Sequence, residues 1–74
     1  MIFRLAEVHP KRCVVWGETD HVLLAVGEIT HERGIWKFHY HHAANQLDDE
    51  TTKLLVAFTL QQILILTITD RLTK

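Results

Sequence analysis

The sequence predicts an α+β domain, an antiparallel meander of three to four strands with one long C-terminal helix packed on one face. Three observations lead there. Runs of β-forming residues in the first half are divided by turn formers at Pro10, Gly17, Asp20 and Gly34. From Leu47 onward there is no Gly or Pro. Every acidic and basic residue lies outside Leu54–Thr69, so that stretch is one uncharged block. Seventy-four residues make a single domain, residues 1–74, with a small core.

Residues from Ile2 to Val8 mix Phe3, Leu5 and Val8 with Arg4 and Glu7, the pattern of a half-buried strand over about 2–8. Pro10, Lys11 and Arg12 punctuate its end. Cys13-Val14-Val15-Trp16 is the body of a second strand, about 12–17, stopped by Gly17, Glu18, Thr19 and Asp20. A longer strand spans about 21–32. Arg33-Gly34 turns it back into a partner over about 35–42, glycine taking the positive φ that a two-residue hairpin requires.

With Arg33 and Gly34 as the loop, Glu32 faces Ile35, His31 faces Trp36, Ile29 faces Phe38, Gly27 faces Tyr40 and Ala25 faces His42. Alternation then gathers Leu23, Ala25, Ile29, Trp36, Phe38 and Tyr40 on one core face. The other face carries Glu28, Thr30, Lys37, His39 and His41, with Val22, Leu24 and Val26 at one end. Tyr40 is placed to cover Gly27 across the strand pair.

Ala43 to Gln46 reads as a linker. Asp48 is the N-cap of a helix over about 48–70, with Asp49 and Glu50 in its first turn and Arg71 and Lys74 at its far end, both signs favourable to the helix dipole. At 100° per residue Leu54, Phe58, Ile65, Ile68 and Leu72 share a face, Val56, Leu60 and Ile63 a second, Leu55 and Leu66 a third. A competing reading turns the β-branched run Ile63–Thr69 into a final strand. The absence of any breaker after Gln61-Gln62 favours one continuous helix.

A helix apolar most of the way round must be covered most of the way round, and one small sheet covers one side. The expected function is therefore a non-catalytic interaction or regulatory module, an inhibitor or adaptor. It would form a homodimer or dock a heterologous protein through Leu55, Val56, Leu60, Ile63 and Leu66. Leu54–Ile68 falls short of the roughly 20 apolar residues of a spanning helix, and the start of the chain, Met1 to Glu7, lacks a secretory signal's order, so a cytoplasmic setting is expected.

Two other functions compete. His39 and His41 with Glu28 across from them are types that hold a divalent metal such as zinc or nickel. Trp36, Phe38 and Tyr40 alternate like the platforms on which single-stranded nucleic acid stacks. A formal charge of −1 and the lone basic pair Lys11-Arg12 make nucleic acid the poorer partner. Six histidines raise the possibility of a pH response. Phosphate loops, nucleophile elbows and His-Glu-x-x-His are missing, and Cys13 sits in an apolar run, so no enzyme is expected.

Overall fold

A computed structural model describes residues 1–72. Four strands form one open antiparallel sheet in the order of the chain: β1 (Ile2–His9), β2 (Arg12–Thr19), β3 (Val22–Glu32) and β4 (Ile35–Tyr40). A short 3-10 turn, His42–Gln46, leads into α1 (Asp49–Leu72), 24 residues in length. The α+β meander with its long helix is thus the observed fold, and Ile63–Thr69 lies inside α1. The expected C-terminal charge at Lys74 lies outside the described residues.

Two tight turns follow from local chemistry. Arg33 and Gly34 both have positive φ (53° and 83°), as do Asp20 and His21 (43° and 67°). Two successive positive φ values bring the chain back with the twist that paired strands need. The second turn is at Asp20-His21 rather than in the Gly17–Asp20 cluster, because Gly17, Glu18 and Thr19 still pair with β3.

The β3–β4 register is the one that the turn dictates, from Glu32 opposite Ile35 to Gly27 opposite Tyr40. Pairing stops there. His41 N–H donates to Val26 C=O at 3.0 Å, and the chain then enters the 3-10 turn, so His42 never reaches Ala25. The turn carries Ala44 into the core.

β3 departs from simple alternation. Val15 pairs with Gly27 but Trp16 pairs with Ala25, leaving Val26 as an extra residue. A bulge of this kind reverses the side-chain phase beyond it. Ile29 and Gly27 face the helix on one side of the bulge; Val26 and Leu24 do so on the other. Leu23 and Ala25, expected in the core, are moved to the open face, where Leu23 is exposed. The core is then Val15, Val26, Ile29, Trp36, Ala44 and Leu55, bordered by Phe3, Leu5, Leu24, Phe38, Leu47, Phe58, Ile63 and Leu66.

Gly27 is covered by Phe38 rather than by Tyr40. A β-carbon there would sit 2.4 Å from Phe38 Cζ and 2.7 Å from the His39 carbonyl oxygen. The diagonal neighbour thus lies over the bare backbone, and Tyr40, exposed, meets the Phe38 ring edge-on at 4.6 Å.

Asp48 caps α1 as its position suggests: Thr51 N–H donates to Asp48 Oδ1 at 2.7 Å, and Thr52 N–H donates to the Asp48 carbonyl at 2.9 Å. Bonds from the Thr51 side chain and amide hold the Asp48 carboxyl below the ordinary carboxylate range.

Gly27→Ala is expected to destabilise the domain by about 1–3 kcal/mol through overpacking against Phe38 and the β4 backbone, measured by urea denaturation. Because the Asp48 pKa is lowered by folding, its contribution is present above the unfolded value near 3.9 and is lost as pH falls through the folded one. Asp48→Ala should melt below the wild type at neutral pH, and the gap should close in acid. An unchanged gap down to pH 3 refutes the cap's ionic role.

Candidate functional site

The two faces of α1 differ in an unusual direction. Toward the sheet lie Leu55, Phe58, Thr59, Ile63, Leu66 and Thr67, buried or half-buried. Only Leu55 and Thr59 are fully buried. The polar members of this face satisfy themselves or find partners: Thr59 Oγ1 donates to the Val56 carbonyl at 2.9 Å and Thr67 Oγ1 to the Ile63 carbonyl at 2.8 Å. Away from the sheet lie Leu54, Val56, Leu60, Leu64, Ile65, Ile68 and Leu72, all exposed, with Leu60 at 63% and Leu64 at 59%. The solvent side therefore presents more large aliphatic groups than the packed side.

The interface residues read from the sequence divide accordingly. Val56 and Leu60 are on the outer face. Leu55 is fully buried against the sheet, and Ile63 and Leu66 border the core. Those three are occupied by the chain itself. Leu54, Leu64, Ile65, Ile68 and Leu72 take their place outside.

The C-terminal end of α1 is tied to the β3–β4 hairpin. Trp36 Nε1–H donates to Asp70 Oδ2 at 2.8 Å. His31 Nε2 stands 3.6 Å from the same oxygen, and its ring meets Trp36 edge-on at 5.0 Å. Two shallow hollows flank this contact. One of about 310 Å³ is lined by Pro10, Lys11, His31, Trp36 and Asp70; one of about 170 Å³ is lined by His31, Gly34, Trp36, Thr67, Asp70 and Arg71.

The chain matches no family model, no curated protein and no solved structure. What it does must be read from its own surfaces.

The histidine cluster is differently partnered from its sequence reading. Glu28 does lie across from His39, but its carboxylate accepts from Arg12 Nε at 2.6 Å. His39 Nε2 turns to Glu32 Oε2 at 2.7 Å and Thr30 Oγ1 at 3.0 Å. His41 lies beyond the end of β4, at the start of the 3-10 turn. Glu28, His39 and His41 are therefore not brought together, and no group of three ligating side chains is found among the described residues. The bonds from His39 and then Thr30 hold the Glu32 carboxyl below its usual range.

Trp36, Phe38 and Tyr40 are likewise not presented together. Trp36 is buried, Phe38 half-buried and Tyr40 exposed. Cys13 is buried, and burial followed by the nearby Glu7 charge pushes its thiol up, a setting of inert packing. By length and composition alone α1 is long and apolar enough to cross a membrane, since the helix runs well beyond the fifteen-residue block Leu54–Ile68.

Asp70→Ala leaves the Trp36 indole N–H without its acceptor and is expected to cost about 1–3 kcal/mol. Faster hydrogen exchange in the last turns of α1, largely restored by Asp70→Asn, is the signature. Equal protection in all three proteins would show that the tie does not hold the helix end.

Proposed function

We propose that this chain is a non-catalytic interaction module, acting as an inhibitor or adaptor, whose working surface is the outer face of α1. The carrying observation is the reversal of the helix, with Leu54, Leu60, Leu64, Ile65, Ile68 and Leu72 turned to solvent while Thr59 and Thr67 are turned inward. Exposed apolar surface that is contiguous along one element marks an interaction site. A protein partner supplies the side chains that such a stripe packs against.

Insertion across a membrane fits these residues less well. It would strip α1 from the sheet, uncover Leu55 and break the Trp36–Asp70 bond, and it would carry Gln61 and Gln62 into the hydrocarbon. A cytoplasmic setting belongs to this reading, the buried Cys13 being a lone thiol.

The double variant Leu60→Asp/Leu64→Asp tests it. A docking face is dispensable to the fold, so the variant should keep the native NMR dispersion while losing most of the apolar-dye binding that the wild type shows at high dilution, where no partner covers the face. Loss of the folded state would show that these leucines serve the domain's own core.

A further inference from the structure

We infer that the occupant of this face is a second copy of the chain, its α1 lying antiparallel to the first. The inference rests on the reading of the outer face as a docking surface. Leu54, Ala57, Gln61, Leu64, Ile68 and Arg71 recur at alternating spacings of three and four residues, the spacing of a helix–helix seam. All six are exposed. The spacing is the same from either end: about a midpoint between Gln62 and Ile63, Leu54 corresponds to Arg71, Ala57 to Ile68 and Gln61 to Leu64. A surface with that symmetry meets its own copy antiparallel, layer on layer, in the self-complementary contact that a two-fold axis requires.

The side chains suit the antiparallel sense and not the parallel one. Antiparallel pairing sets small Ala57 against large Ile68 twice, and the flanking Leu60 and Ile65, both exposed, correspond across the same midpoint. The two Gln61 residues come about 4.5 Å apart along the axis, close enough for their amides to bond each other. Asp49 and Glu50 of one helix run toward Arg71 of the other, and the helix dipoles oppose. Parallel pairing would stack Ala57 on Ala57, leaving a gap, and Arg71 on Arg71.

The chain as a whole exposes more surface than its mass accounts for. By the usual scaling a compact 8.6 kDa chain exposes about 4,700 Å², whereas this one exposes 5406 Å², about 700 Å² more. That excess approaches the roughly 800 Å² each partner contributes to a standard interface. A lipid surface is the poorer occupant: the outer face holds no aromatic residue, and its cations Lys53 and Arg71 sit at opposite ends.

Cysteine cross-linking with copper phenanthroline as oxidant tests both the copy and its direction. Ala57→Cys and Ile68→Cys alter exposed positions, and Cys13 is only 4% exposed, so it does not compete. Mixed together, the two single variants should give a disulfide-linked dimer, and the double variant should do so alone. Ala57→Cys alone should not, because antiparallel pairing holds its two copies about 16 Å apart. Leu64→Asp should weaken self-association by about a hundredfold in sedimentation equilibrium. Efficient linking of Ala57→Cys to itself overturns the antiparallel arrangement and leaves the docking surface standing. A mass of one chain at every concentration overturns the second copy, and flotation of that monomer with phosphatidylglycerol vesicles would assign the face to lipid.

Discussion

Val26 has no residue opposite it on β2, and that one unpaired position decides which half of β3 the helix can use. Beyond the bulge the phase is reversed, so Val26 and Leu24 join Ile29 beneath α1, while Leu23 and Ala25 turn to the open face. Fully buried, Val26 sits in one cluster with Val15, Ile29, Trp36, Ala44 and Leu55, so its burial contributes directly to the small hydrophobic core. The same residue's carbonyl accepts from His41 and ends the pairing of β4. The 3-10 turn, the entry of α1 and the burial of Ala44 all follow from that point.

The hairpin and the helix were legible because their signals are local. Arg33-Gly34 fixes a register, and the apolar residues of Ile29 and Trp36 to Phe38 fall into line with it. The bulge left no such mark. Leu23-Leu24-Ala25-Val26 is apolar in either phase, so alternation cannot report that it has been interrupted. The helix faces were hidden for a related reason. A segment apolar nearly all round carries little directional pattern, and the sorting was done by its polar residues. Thr59 and Thr67 bond carbonyls of their own helix and so can be buried at small cost. Asp70 bonds an indole 34 residues away in sequence, and no spacing rule announces such a pair. The candidate surface was therefore visible as a surplus of aliphatic groups before it was visible which of them form it.

Both ends of α1 are held. Asp48 satisfies its first turn, and Trp36 grips Asp70 in its last. Between them Leu55 and Phe58 seat the helix, Phe58 stacking obliquely on Phe3 at 5.9 Å. A helix fixed at both ends presents its outer residues in one geometry, so a partner has little ordering to impose on it.

The sheet has two uncovered edges, and they are built differently from the helix. β1 carries Arg4 and Glu7 and loses register between Glu7 and His9, with Pro10 just beyond. β4 is only six residues long and carries Lys37 and His39. Charge, brevity and an irregular end each make an edge a poor template for another strand. Growth through such edges, where it occurs, has no natural stopping point, and fibres result. A helix face is consumed by whatever covers it. Placing the apolar surplus on α1 and the charges along the strands confines association to the kind that terminates.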